Sequence, residues 1–596
     1  MFNLFFVFVK RHGVQFKLRI LFVLFSAVIS ASLEVVGIAL LYPLIAVAMN
    51  PSFVVQNEYV SIVYNFFGFS EPRHFVVLIA ICVGMSFIAK NMYMLLQQKF
   101  QFDMVRDWRI DICNRLMEEY VNAPLTYHLS KSSASIINNL TAVVSRVVNS
   151  YLIQCIMFVS NSIVCVSLLI ILMIKYSVIS LVSGGVVGIL LWSQMRVIRR
   201  VAKDVNDKYV IASQENISIL SSSLAGIKDT KLTGKESVFL KKYHNSNYKV
   251  SEIDKTNMLI QYIPVYLSEA ILMFGIVIFI SYILLTSPNP ADGIVSITLL
   301  SAIAIRLAPM LNRLLYCYSQ IKSSSNAVET IINEFNSLNG VNDSAKNRLE
   351  FGREIKMANV CFSYKGKKNV GINNVNITIN QGEFVGIVGA SGAGKTTFAD
   401  LLAGLLPIES GKIYVDGIEV NYTDYKGIRN NVSYVSQSPF ILTGSIRENV
   451  AFGAASEDID DKEVINVLEM AGLYDLVCER GLNYHLGENG KNVSGGQRQR
   501  IIIARALYLN REIILFDEAT SALDTKTEFD ITNVIAGLKG QRTIVMVAHR
   551  LSTLAKADKL IVFDNGTITG VGSFDELINE NQKFKTLVEL SRCSIK

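Results

Sequence analysis

Six apolar stretches dominate the first half of the chain, near residues 18–48, 74–97, 147–174, 177–198, 259–286 and 293–318. A helix needs about 20 residues to cross the hydrocarbon core of a bilayer, and each stretch meets that length. In lipid every backbone N–H and C=O must be satisfied internally, so runs of this kind fold as membrane helices. The pattern predicts an all-α six-helix domain over residues 1–336, a polar linker over 337–350 and a second domain over 351–596. The whole-chain averages, 51% apolar and 18% charged, blend two unlike halves and exclude a wholly soluble, a disordered or a small disulfide-stapled protein. The eight cysteines are scattered with no CxxC pair, which predicts free thiols rather than bridges or a metal site. The first apolar stretch outruns a signal-peptide core and lacks a small-residue cleavage site, so no cleavable leader is expected.

Orientation follows from the basic residues. Lys10, Arg11, Lys17 and Arg19 precede the first span, and Lys99, Arg106, Arg109 and Arg115 lie in the first of two long, polar, helix-forming loops, near 98–146. Arg199, Arg200, Lys203, Lys208, Lys228, Lys231, Lys235, Lys241 and Lys242 crowd a second loop near 199–258. The turn at Lys175–Tyr176, the turn Thr286–Gly293 and the segment 49–73 are poor in Lys and Arg. The positive-inside rule then puts both termini, both long loops and the second domain in the cytoplasm of a bacterial-type inner membrane. The net charge of +7 belongs to these loops rather than to a nucleic-acid surface, and no nucleic-acid partner is expected. In the outer segment, Tyr59, Val60, Val63, Tyr64 and Phe67 recur at helical spacing, which suits an interfacial helix or a loop helix packed on its neighbours.

The second domain alternates short β-branched runs with helix-forming stretches. Glu383–Val388, Ile413–Val415, Ile513–Phe516 and Thr543–Val547 read as strands of an α/β domain with a mainly parallel sheet. After the first of these comes Gly389-Ala390-Ser391-Gly392-Ala393-Gly394-Lys395-Thr396, followed by Thr397 and a helix-forming stretch, and residues 389–397 are all expected to bind ATP. This is the GxxxxGK[ST] pattern, in which backbone N–H groups wrap phosphates at a helix N-terminus. There Lys395 reaches the β- and γ-phosphates of ATP and Thr396 ligates Mg²⁺. Downstream, Ile513–Phe516 ends in Asp517-Glu518, where one carboxylate can serve Mg²⁺ and the other can polarise an attacking water. Ser494-Gly495-Gly496-Gln497 lies between them, an anion nest at a helix start.

Val493-Ser-Gly-Gly-Gln497 resembles the signature motif of ATP-binding cassette proteins, with Val493 where Leu is commoner. Across about 350–590 the other marks of that family follow in order, and the resemblance implies their roles. Tyr364 is the aromatic that stacks on adenine, and Gln437 is the glutamine that links Mg²⁺ to the coupling loop. Ser521-Ala-Leu-Asp524 is the D-loop, with Asp524 at the nucleotide, and His549 is the switch residue at the γ-phosphate. In such proteins the Ser494 nest faces the nucleotide of a second subunit. A chain with one cassette and one six-span unit is therefore expected to act as a homodimeric ATP hydrolase coupled to transport. Pro124–His128 and Gly226–Thr230 fall where exporter-type members carry coupling helices.

Charges inside spans are costly and mark polar cavities. Glu34, Lys90, Glu269, Arg306 and Arg313 are of this kind. Arg306 and Arg313 lie seven residues apart on one face of the sixth span, with Pro309 between them, and suit an anionic headgroup; Lys90 adds a third cation. Against this stands a structural pairing of these cations with Glu34 and Glu269. The membrane half is also similar to PglK-type flippases of lipid-linked oligosaccharides in Glu34–Pro43, the outer segment and Arg306…Arg313 before Tyr318. It departs from them at the apolar Val265. That resemblance implies an ATP-driven flippase for a polyprenyl-pyrophosphate glycan. A lipid A-like glycolipid flippase, a peptide or toxin exporter, and a membrane ATPase without directed transport are the alternatives.

Overall fold

The computed structural model describes residues 14–593 except 70, 176, 287–289, 339–348, 365–370, 422–423, 520–524, 549–553 and 555. The chain divides into two compact units, Met1–Val121 with Ser133–Asn339, and Asn122–Ser132 with Gly340–Lys596.

The regular elements described in the first unit are all helices. Its largest elements are Val14–Ala39, Pro72–Asn122, Ile153–Lys175, Ser177–Ala225, Glu236–Thr286 and Pro290–Leu338. Four of these helices run for 49 to 51 residues, more than twice what a bilayer requires. The polar stretches near 98–146 and 199–258 are helical, as their composition predicts, and for the most part they continue the membrane helices. Their charges pair along the helix, as in Arg115–Asp111 at 2.9 Å and Lys208–Asp204 at 2.8 Å, both at i,i+4. Among the described residues four helical stretches are long and apolar enough to span a membrane. The fourth and sixth expected spans lie within Ser177–Ala225 and Pro290–Leu338, and the latter helix runs on through Pro309. It starts at Pro290, so the turn expected over 286–293 is shorter than its composition implied; residues 287–289 and Tyr176 lie outside the described residues.

The outer segment folds as helix Glu58–Phe66, whose first turn is capped by Asn57 accepting from the Val60 N–H. Val60 and Tyr64 pack inward, the Tyr64 ring lying edge-on to Phe75 at 5.2 Å. Tyr59, Ile62 and Phe66 remain exposed, so the helix has two apolar faces and matches part of each expectation.

The second unit holds two sheets. One is antiparallel, in the order β2-β1-β4-β5, where β1 is Glu354–Ser363, β2 Gly371–Asn380, β4 Ser410–Val415 and β5 Ile418–Glu419. The other runs β10-β9-β3-β8-β7-β6. Its strands are β3 Phe384–Gly389, β6 Val432–Val435, β7 Ile513–Asp517, β8 Thr543–Val547, β9 Lys559–Asp564 and β10 Thr567–Gly572. Only β10 is antiparallel to its neighbour there. The expected parallel core is thus present, but Ile413–Val415 belongs to the antiparallel sheet. Three apolar residues have no signal that separates the two cases. β7 and β8 are buried along their whole length, as continuous apolar runs in a doubly covered parallel sheet must be. Residues 122–132 join this unit through helix Leu125–Ser130, whose Leu125 packs half-buried against the apolar cluster under the antiparallel sheet.

Candidate functional site

The carboxyl ends of β3, β6 and β7 converge, where open parallel sheets form their ligand crevices. The loop after β3 turns at Gly392 and Gly394, at φ of +80° and +101°, and Gly394 caps the eight-residue helix Lys395–Leu402. A side chain at Gly389 would meet the Phe563 carbonyl at 2.4 Å, so only glycine lets the loop leave the sheet so closely. Ala390 and Ser391 stay on the loop's surface, while Ala393 is buried and its carbonyl accepts from the Gly566 N–H.

Lys395 is 5% exposed, and its Nζ donates to the carbonyls of Gly389 at 2.9 Å and Ala390 at 3.0 Å. Burial pulls its pKa down, against the pull of the Glu518 and Asp517 charges. Its hydrogen-bond partners are neutral carbonyls, so no ion pair has to be broken for an anion in the loop to meet it. Thr396 Oγ1 donates to Asp517 Oδ1 at 3.3 Å, which joins the loop to the end of β7. Burial also raises the Asp517 carboxyl, opposed by its hydroxyl partners. Glu518 turns away from the strand at φ +50°, its N–H donating to the Val547 carbonyl. That turn brings its Oε2 to 2.5 Å from Gln437 Nε2. Thus Lys395, Thr396, Gln437, Asp517 and Glu518, expected together from sequence, are together.

Thr397 is buried, and its hydroxyl lies 3.4 Å from the Tyr364 hydroxyl. The Tyr364 ring stands edge-on to Phe362 at 5.0 Å. His549 and the D-loop Ser521–Asp524 lie outside the described residues.

At the signature segment the sequence S-x-x-Q forms a capping box. Ser494 Oγ accepts from the Gln497 N–H at 3.2 Å, and Gln497 Oε1 accepts from the Ser494 N–H at 2.8 Å. Gln497 therefore shapes the helix start, and Ser494, Gly495 and Gly496 present it to solvent. Val493 is buried in the same apolar cluster as Ile441 and Ile501, which explains why one aliphatic residue can replace another there. Sequence reasoning missed two residues behind Asp517. Tyr434, on β6, donates toward Asp517 Oδ2 at 3.3 Å and Asp400 Oδ1 at 3.2 Å. Burial lifts the Asp400 carboxyl to about 6. A polar pair at apolar-strand and helix positions was the available signal.

The membrane unit has its own polar cavity, about 470 Å³, lined by Glu34, Lys90, Arg306 and Arg313 together with several amides, among them Gln101 and Gln154. Lys90 and Glu34 form a buried ion pair, and Arg306 Nε lies 3.5 Å from the same carboxylate, with its guanidinium over the Phe87 ring at 5.0 Å. Lys90 is therefore not a third free cation, because Glu34 neutralises it. Glu269 is exposed on its helix and is not a lining residue.

The family model described as "ABC transporter transmembrane region" matches residues 20–306, and that described as "ABC transporter" matches residues 372–521. The chain is an ABC transmembrane region fused to an ABC cassette. A bacterial Atm1-family ABC exporter solved with ATP bound superposes with a TM-score of 0.81 at 19% identity, over 97% of this chain and 99% of that one. The half-transporter thus has an exporter fold. The heterocyst differentiation ATP-binding protein HepA of Nostoc sp. is 36% identical over 317 residues, 49% of this chain and 52% of HepA. The ATP-dependent lipid A-core flippase of Haemophilus ducreyi is 37% identical over 275 residues, 46% of this chain and 47% of the flippase. The matched part of the half-transporter spans about half the length of these curated relatives.

Proposed function

We propose that the chain is an ATP-driven flippase that works as a homodimer and moves an amphipathic anionic lipid across the bacterial inner membrane, with both termini and the cassette cytoplasmic. The observation that carries the ATPase part is the convergence of Thr396 on Asp517 and of Gln437 on Glu518 beside a buried Lys395 held by backbone carbonyls. Hydroxyl, carboxylate and amide oxygens are hard donors that suit Mg²⁺, and Thr396, Asp517 and Gln437 would hold it beside the phosphates. When bound, Mg²⁺ neutralises charge on the transferred phosphoryl group. Lys395 and the loop N–H groups bind the phosphates, Tyr364 and the Thr397 behind it receive the adenine, and Glu518 takes the proton of the attacking water. His549 and Asp524 complete the pocket, and Ser494, Gly495 and Gly496 serve the nucleotide of the partner subunit. Helices Leu125–Ser130 and Ile227–Thr233 are the coupling elements.

The cavity supports the choice of cargo. Among its described lining residues three cations face one carboxylate, which leaves two positive charges for an anion. The amides beside them suit hydroxyl-rich groups, and a lipid-linked oligosaccharide combines both chemistries. A lipid A-like glycolipid is the second choice, favoured by the likeness to the Haemophilus ducreyi flippase.

The test is reconstitution in proteoliposomes with a fluorescent polyprenyl-diphosphate oligosaccharide, lipid A or a peptide as cargo. ATP-dependent translocation of the first is expected. Glu518→Gln should keep ATP binding and lose turnover by about a hundredfold or more. Full hydrolysis in that variant, or a chain that stays monomeric in lipid while hydrolysing ATP normally, would overturn the proposal.

A further inference from the structure

Asp517 is 3% exposed, yet each of its carboxylate oxygens meets one hydroxyl. Thr396 Oγ1 donates to Oδ1 at 3.3 Å, and Tyr434 Oη reaches Oδ2 at 3.3 Å. Two donors on opposite oxygens fix both the position and the plane of a carboxylate, which one donor cannot do. Tyr434 sits on β6, in register with Leu515 of β7, and three residues before Gln437. Its hydroxyl also lies 3.2 Å from Asp400 Oδ1, on the helix that the phosphate loop opens. One oxygen therefore ties the strand leading to Gln437, the strand ending in Asp517 and the helix after Lys395.

A phenol carries one hydrogen and can donate it to only one carboxylate at a time. Asp400 and Asp517 compete for it when both are ionised.

We propose that Tyr434 is a positioning residue that aims Asp517 at the nucleotide-bound divalent cation, and that Asp400 sets how firmly it does so by competing for the same hydroxyl hydrogen. The proposal rests on the ATPase function above. Removing the hydroxyl frees Oδ2, and Asp517 loses its fixed plane. Replacing Asp400 by the isosteric amide removes the competing carboxylate charge and lets an amide N–H donate to Tyr434 Oη, so the hydrogen goes to Asp517. The two substitutions at one hydroxyl thus act in opposite directions. A residue that only packs the sheet would show no such opposition.

The experiment uses the full chain in lipid nanodiscs with a non-hydrolysable ATP analogue and follows Mn²⁺ binding by the loss of its free electron-paramagnetic signal. Nucleotide affinity is measured separately in chelator. Tyr434→Phe, which keeps the ring, is expected to weaken Mn²⁺ binding about tenfold, the size typical of losing an outer partner of a metal ligand. Its metal-free nucleotide affinity should match wild type. Asp400→Asn should bind Mn²⁺ as tightly as wild type or more tightly. Mn²⁺ binding by Tyr434→Phe within about twofold of wild type would overturn the proposal. So would an equal loss of metal-free nucleotide binding, or an Asp400→Asn variant as weak as Tyr434→Phe. Wild-type protein that binds nucleotide but no Mn²⁺ would instead overturn the ATPase function itself.

Discussion

Lys395 in the cassette and Lys90 in the membrane unit are almost equally buried, at 5% and 4% exposed, but their partners differ. Lys395 is held by two backbone carbonyls, and Lys90 by the carboxylate of Glu34. A carbonyl satisfies the ammonium hydrogens without cancelling the charge, so burial still depresses the Lys395 pKa and an incoming phosphate completes the site. A carboxylate cancels the charge, and Lys90 becomes part of the scaffold. The two units thus use the same buried side chain for opposite purposes. In the membrane unit the unmatched charge passes to Arg306 and Arg313, which line the same cavity.

The largest expected effect separates the two lysines outright. Lys395→Met should reduce ATP hydrolysis by about a hundredfold or more, as loss of a phosphate clamp does, in a steady-state phosphate-release assay. Lys90→Met should leave nucleotide affinity unchanged but strand Glu34, and should destabilise the membrane unit by about 3–5 kcal/mol in a thermal melt. The Lys90→Met/Glu34→Gln pair should recover most of that loss, and a double variant as unstable as the single one would break the comparison. Next in size, Arg306→Ala with Arg313→Ala should slow lipid translocation about tenfold while basal hydrolysis stays within about twofold. Unchanged flipping would make these arginines structural, like Lys90.

The smallest effect concerns pH and Asp400. Its carboxyl is raised to about 6 by burial, above the value of about 3.9 for an unfolded aspartate. The folded cassette therefore holds the proton more firmly than the unfolded chain. The resulting stabilisation is complete below about pH 4 and is lost as pH rises through 6. Asp400→Asn cannot lose that proton. Its melting temperature should pull ahead of wild type between about pH 4 and 7, by the equivalent of on the order of 1–2 kcal/mol, and then run parallel. A constant gap across that range would show that Asp400 does not titrate there.

Much of the cassette was legible because its motifs are local. Gly389–Thr396 needs nothing beyond its own glycines and the following helix to make a phosphate loop. Ser494 and Gln497, three residues apart, carry their capping box in their spacing. The α/β rhythm likewise announced β3, β7 and β8. The antiparallel sheet was harder, because Ile413–Val415 looks the same in either kind of sheet. Tyr434 and Asp400 left only the faint signal of polar residues at apolar positions, since Tyr434 reaches one partner 83 residues away and the other on a different element. In the membrane unit, hydropathy marked where helices cross but not where they end, because polar helical extensions and polar loops share a composition.

The amino-acid order by itself determined that the chain carries membrane helices followed by a nucleotide-type α/β domain, and which residues make up the phosphate loop. Both follow from short-range causes: the need to satisfy backbone polar groups in lipid, and the backbone geometry that glycines and caps allow. Tertiary structure alone decided which charges remain unmatched. Glu34 meets Lys90 and Arg306 only because three separate helices bring them to one cavity, and Lys395 Nζ is held by carbonyls rather than by a carboxylate only because its loop folds two of them onto it. Charge balance at a buried site depends on neighbours in space, and those are set by packing rather than by spacing along the chain.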